Sequence, residues 1–424
     1  MSRPTAAGAP ELTVPGRPAR AGRLGGIDVA RGLAILGMFV AHLGDDGPDG
    51  EHDPAWFVVA DGRSAALFAV LAGVSLALSY GRRTPPAALA LVRARLAVFV
   101  RAAVLLVIGV FLVALGTPVL VILPAYAATF ALATPFLGLA RRWVLTAAAV
   151  VVVVSPTVLF LLTTPTAAGD PSPLARLTGM ADPVELPMDV FVTGAYPALV
   201  YLAYVLAGLA VGRSDLARTR TQLVLVGAGA GLAALGWGTS RLGLDALGPD
   251  AAPLTRRLLS AEAHDDSTLE VLGNCGTSLA VIGLCLLATT APVVGRAARA
   301  VLAPVAAAGA LSLTVYSVHI VAIFLLGNDV VWYPESNAVL GWFVLVALAG
   351  AWLWRRFLGR GPLERLVRGA VRAVVPPLGP GSGAGPTVPA GGAGTAVPGA
   401  GAGPSSRAAS PTSHALGSNE PPGP

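Results

Sequence analysis

Ten apolar runs follow one another along the chain, near residues 27–43, 64–80, 96–115, 118–139, 143–163, 189–211, 221–240, 269–291, 303–327 and 337–357. Runs of this length match the roughly 17–25 apolar residues that a helix needs to cross hydrocarbon, so the pattern predicts about ten transmembrane helices. The polar connections between them alternate in charge. Arg82, Arg83, Arg93 and Arg95 follow the second run, Arg141 and Arg142 the fourth, Arg213, Arg218 and Arg220 the sixth, and Arg296 and Arg299 the eighth. Arg355, Arg356, Arg360, Arg365, Arg368 and Arg372 follow the tenth. The remaining connections are acidic or neutral, apart from Arg256 and Arg257 in a loop that also carries Asp250, Glu262, Asp265 and Asp266. Because positive residues are retained in the cytoplasm, both termini are expected there.

The flanks divide the chain further. Residues 1–25 are Pro-rich and Arg-bearing, and no small-residue cleavage site follows the first run, so that run is expected to be retained. Residues 26–374 form the multi-helix transmembrane domain. Within them, 361–372 has the pattern of a short basic amphipathic helix lying on an anionic leaflet. Residues 375–424 are a Pro/Gly/Ala/Ser tail too poor in large apolar side chains to offset the entropy of ordering, and they are expected to be disordered.

Composition supports the same class. The chain is 54% hydrophobic and 12% charged, with a mean hydropathy of +0.71, too apolar for a soluble domain. All 29 positive residues are Arg. They sit at the ends of apolar runs rather than in one patch with interleaved aromatics, which argues against nucleic acid. The Ala, Gly and Arg bias fits a bacterial cytoplasmic membrane. Cys275 and Cys285 fall in one run, where ten residues of helix hold them about 15 Å apart, too far for a disulfide. No Cys/His cluster supports a metal site.

Ionisable groups inside a membrane are costly, so each one is a candidate for function. The first run is richest. Asp28 and Arg31 stand at i and i+3 and can pair along one face. Arg31 and His42 are eleven residues apart, which puts them on that face about 16 Å apart along the axis. Gly32 and Gly37 admit close approach by another helix. The connection that follows concentrates carboxylates around His52, flanked by Glu51 and Asp53, which suits an acid or base near neutral pH. Asp61, Arg63 and Ser64 open the second run, either closing the helix end or forming a pocket floor. His319, with Tyr316 one turn before it, either faces the same outer pocket or bonds a neighbouring hydroxyl. Asn274 reads as structural, and His264 and His414 as solvated.

These residues carry a resemblance. The run from Arg23 through Asp28, Arg31 and Gly32 to Met38 resembles the opening of the heparan-alpha-glucosaminide N-acetyltransferase-like family. The loop with His52, Trp56 and Asp61, leading to Phe68, Gly73 and Ser75, continues the likeness. The spacing of Arg31 and His42 is also similar to the arginine–histidine signature of the wider transmembrane acyltransferase superfamily. Farther on, Gly309 to His319 and Gly361 to Arg368 resemble a YeiB-like membrane family of unknown function.

The resemblance implies acyl transfer, expected to be of an acetyl group, from acyl-CoA (acetyl-CoA) to an amine or hydroxyl acceptor such as a sugar, in contact with membrane lipids and without a metal. The acetyltransferase family places its essential histidine at His52; the wider superfamily places it at His42, which ranks first. A thioester donor requires only a base and one or two oxyanion donors. His42, His52 and Asp61 are therefore the catalytic candidates, and Arg31, Arg63 and Ser64 the donor-binding ones. Arg82, Arg83, Arg93, Arg95 and Arg101 are further candidates to attract CoA phosphates. The competing expectation is a transporter or lipid-handling protein on the same scaffold, without transferase activity.

Overall fold

A computed structural model describes residues 24–44, 59–164, 170, 172–178, 190, 194–248, 252–291, 294–332 and 336–376. These lie in the first of the chain's two units, Met1–Pro377. The described residues of each of the ten runs are largely helical and contain no strand. In chain order the helices are α1 (Gly25–Leu43), α2 (Arg63–Ser79), α3 (Ala88–Val113), α4 (Leu123–Ala133) and α5 (Arg141–Thr163). There follow α6 (Ala198–Gly212), α7 (Thr219–Ala246), α8 (Thr268–Thr290), α9 (Ala303–Ala310) and α10 (Ser312–Leu326). The last two are α11 (Ala338–Phe357) and the amphipathic α12 (Pro362–Val374).

Among the described residues, six helices (α1, α3, α5, α7, α8 and α11) are long and apolar enough to cross a membrane, and α9 with α10 makes a seventh if taken as one bent span. The protein is an all-α, multi-pass membrane protein. Of the three remaining runs, α2 keeps the expected length, whereas α4 and α6 are shorter than expected. With 15 residues, α6 rises only about 22 Å, short of the ~30 Å hydrocarbon core. Thirteen of those residues are buried, so α6 is wrapped by protein and need not match the bilayer's thickness.

Small residues let the core helices touch. A Cβ on Gly208 of α6 would stand 1.8 Å from the Val70 carbonyl of α2, and one on Gly73 would stand 2.0 Å from the Val205 carbonyl. The α1–α9 crossing is equally tight, with Gly32 against Val305 and Gly309 against Asp28. Backbones this close gain dispersion contacts that lipid, as apolar as Leu, does not otherwise favour.

Polar contacts tie the arginine-bearing connections together at one end of the bundle. Arg83, after α2, pairs with Asp215, after α6. Arg95 of α3 donates to the Thr134 carbonyl (3.2 Å), and Arg213 donates to the Leu137 carbonyl (2.7 Å). Arg93 reaches Pro376 beyond α12. At the other end stand His42, Asp61, Tyr196 and His264.

The span near 303–327 is broken. The chain turns by 85° between α9 and α10 at Leu311. A break inside a membrane leaves helix-terminal backbone groups without partners, and water is not there to satisfy them. Here side chains do so. Arg31 donates to the Gly309 carbonyl (3.3 Å) and Arg355 to the Ala306 carbonyl (2.7 Å). The Glu364 carboxylate accepts from the Leu313 and Thr314 N–H groups (2.8 and 3.1 Å) and from the Thr314 hydroxyl (2.6 Å).

Packing at Gly208 makes a direct prediction. Gly208→Val should force α2 and α6 apart at a cost of about 1–3 kcal/mol or more, seen as a lower melting temperature in detergent. At Gly231 a Cβ meets nothing within 4 Å, so Gly231→Ala should leave the melting temperature unchanged.

Candidate active site

The Arg31 end of α1 opens onto a cavity of about 860 Å³. Its wall carries six arginines: Arg31, Arg101, Arg355, Arg360, Arg368 and Arg372. Its floor is apolar and aromatic, formed by Phe68, Leu123, Tyr126 and Leu311. Arg31 is fixed by three partners: Asp28 (3.4 Å), the Gly309 carbonyl (3.3 Å) and the Ser75 hydroxyl (2.8 Å). Asp28 also faces Arg355 at 3.9 Å. The Nε of Arg101 is buried without a hydrogen-bond partner, and the one carboxylate on the wall, Glu364, is occupied at the start of α10. A cavity of this size and charge suits a phosphate-bearing ligand with an apolar or amide arm.

The other end of α1 carries a second polar group. His42 Nδ1 lies 3.0 Å from His319 Nε2, with the rings within 6° of parallel. One nitrogen donates and the other accepts, so the pair shares a proton. His319 is 3% exposed and wedged between Phe39 and Tyr316, at ring-centroid distances of 4.8 and 5.1 Å. The Tyr316 hydroxyl in turn accepts from the Ile122 N–H (3.1 Å), beside the cavity floor. Its neighbour Tyr126, stacked on Phe68, donates to the Ala65 carbonyl (2.9 Å). A layer of tyrosines thus separates the arginine cavity from the histidine pair.

Asp61 belongs to a third cluster. Its Oδ1 lies 3.5 Å from His264 Nε2, and the His264 ring meets Tyr196 edge to face. Glu270 accepts from the backbone N–H of His264 (3.2 Å), that of Asp266 (2.7 Å) and the Asn274 amide (3.1 Å). His264 was expected to be solvated; instead it is partly buried, because the loop before α8 folds back over the start of α2. Gly62 has the positive φ (+62°) that this turn requires, and the loop presses on it at Ala263. Asp61 also lies within electrostatic range of His42.

The expected site residues therefore separate. Arg31 lines the cavity, whereas Arg63 and Ser64 lie at the far end of α2. The Arg63 guanidinium stacks over Trp237 (4.3 Å), and Ser64 packs against Gly37 of α1. Of the arginines expected to draw phosphates, Arg101 is on the cavity wall. Arg83, Arg93 and Arg95 bind protein groups instead, because their connections pack against one another. His52 lies outside the described residues. Sequence reasoning missed His264 as a partner for Asp61; it read Arg355 and Arg360 as topology signals, and Arg368 and Arg372 also as part of a basic helix on an anionic leaflet, not as a cavity wall.

The sequence pattern of the heparan-alpha-glucosaminide N-acetyltransferase catalytic family matches residues 23–237, just over half of the 424. The chain belongs to this family. No curated protein matches the chain. The matched stretch holds Asp28, Arg31, His42, Asp61 and Arg101; His319 and the four arginines from 355 to 372 lie beyond it. Members of this acetyltransferase family use acetyl-CoA as donor, and the cavity's free arginine nitrogen and cationic wall fit the phosphates of such a donor.

Outside the spans, the hydrogen bond to Asp61 holds the His264 pKa above its ordinary value, against the opposing effect of burial. Burial pushes the Asp266 carboxyl well above the usual carboxylate range, and Glu270 adds to the shift. A group whose pKa rises on folding stabilises fully below its unfolded pKa, and that contribution is lost as pH climbs through the folded value. The window for His264 therefore opens above the ordinary value of about 6.5. Wild-type protein should melt above Asp61→Asn at about pH 6, with the gap closing toward about pH 9. A pH-independent gap would contradict the pairing.

Proposed function

We propose that this chain transfers an acetyl group from acetyl-CoA to an amine or hydroxyl acceptor, with the arginine end cytoplasmic. One observation carries the reading: a single helix, α1, sets Arg31 into the arginine cavity and holds His42 against His319 at its opposite end. The cationic wall holds the donor's phosphates, and the tyrosine layer parts to let its thioester-bearing arm pass along the roughly 16 Å between Arg31 and His42.

His42 is the base. It takes the proton from the acceptor's N–H or O–H as that atom bonds to the acetyl carbonyl carbon; the C–S bond then breaks, and the proton passes to the departing thiolate. His319 is a positioning residue, fixing the ring and tautomer of His42. The Asp61 carboxylate, held in place by His264, adds a negative charge within electrostatic range of His42 that stabilises the imidazolium formed in the transition state.

In proteoliposomes given labelled acetyl-CoA and an amino-sugar or alcohol acceptor, His42→Ala should lower turnover by about 10²–10⁴-fold. Arg368→Ala should raise the KM for acetyl-CoA roughly tenfold with little change in kcat. Acetyl transfer that survives His42→Ala undiminished would overturn the assignment, as would protein-dependent uptake of a substrate with no acetylation at all.

A further inference from the structure

Helices α10 and α11 leave a second recess between them, an apolar groove of about 500 Å³. Fourteen of its sixteen lining residues are apolar; the two polar ones are Thr314, already bonded to Glu364, and His319. The groove runs from Pro362 and Trp354, beside α12, to Leu326 and Trp342 at the far ends of α10 and α11. Its outer wall is the least buried of the six long helices, with Leu340 and Ala351 its only buried residues. An elongated apolar groove on a lipid-facing helix is a place for a hydrocarbon chain.

What distinguishes it from ordinary lipid-facing surface is its polar wall. His319 lines the groove while its Nε2 meets His42, so the groove borders one member of the candidate catalytic pair. A histidine bordering a lipid-facing recess is costly unless it serves a cavity or partner. Its ring also lies against the backbone carbonyls of Val315 and Tyr316, one turn back in α10, and its Nδ1 makes no well-aligned hydrogen bond there. A plain acyl chain offers that ring nothing, whereas an amphiphile with a hydroxyl or amine at its head offers the group that the reaction needs.

We propose that the acceptor is lipid-borne: a long hydrocarbon tail lies in the α10–α11 groove and presents its head hydroxyl or amine laterally to the His42–His319 pair. This rests on the acetyl-transfer reading for its chemistry, but the groove can be tested by binding alone. The tail supplies affinity through apolar area, and the ring pair selects for a polar head.

The test uses wild-type protein in phosphatidylcholine liposomes with two photoactivatable C16 probes, a primary alcohol and its methyl ether. The alcohol should label α10 and α11 at least fivefold more than the ether. Gly350→Leu fills the groove, at a position where a Cβ meets nothing within 4 Å, and should cut alcohol labelling at least fivefold while leaving the melting temperature unchanged. His319→Ala should erase the alcohol's advantage over the ether. Equal labelling by both probes, unaffected by Gly350→Leu, would mean bulk lipid only and overturn the proposal, as would cross-linking of α11 to α11 of a second copy. Selective labelling without acetylation of any acceptor would leave the groove standing and refute the transferase reading.

Discussion

A helix broken inside a bilayer must have its loose backbone groups satisfied by the protein, and the break at Leu311 sets much of this architecture. Two arginines meet carbonyls near the end of α9, and one glutamate meets the N–H groups at the start of α10. These come from three separate helices, α1, α11 and α12, which are thereby pinned to one point. The arrangement favours charge at both ends of the break: cations meet the negative end of α9, and an anion meets the positive end of α10. Drawing Arg31 and Arg355 to one site, beside Arg101 and the arginines of α12, also produces the cationic cavity. The structural requirement and the cationic cavity are thus two aspects of the same set of contacts.

The break has a second consequence. By turning at Leu311, the chain sends α10 back along α1, and this brings His319 onto His42. Leu311 itself lines both the arginine cavity and the apolar groove, so the bend is where the two recesses meet. Helix α1 spans the distance between the charged and the histidine-bearing ends, and its glycines allow it to sit deep enough to touch both α9 and α2. The fold thus sets the arginine cavity, the proposed donor site, apart from the histidine pair, the proposed site of chemistry, with aromatic side chains between them.

Local features of this arrangement were legible in the sequence. The Asp28–Arg31 pair follows from an i,i+3 spacing, and the alignment of Arg31 with His42 from the helical repeat; the amphipathic α12 follows from its alternation of Arg and aliphatic residues. Contacts across hundreds of residues were not. The His42–His319 pair joins positions 277 apart, and no local pattern encodes which helix faces which. The same holds for His264, whose acidic neighbours make it look solvated until the loop closes over Asp61. The arginines of 355–372 carry two messages in one residue type: charge retained on one side of the membrane, and charge lining a cavity. Three of the ten runs form helices below the length of a full span, a distinction hydropathy does not make because it does not separate lipid from a protein interior as the apolar environment.

One helix, we propose, links a donor cavity on one face to a histidine pair reached from the other. Sided thiol labelling of Ser75→Cys and His42→Cys tests it most directly, in sealed vesicles with the native buried Cys275 and Cys285 replaced by alanine. Ser75→Cys should be labelled only from the cytoplasmic face and be protected by CoA. His42→Cys should be labelled only from the opposite face, and CoA, whose arm ends beside it, should slow that labelling too. Labelling of both positions from one face, or an unprotected Ser75→Cys, would contradict it.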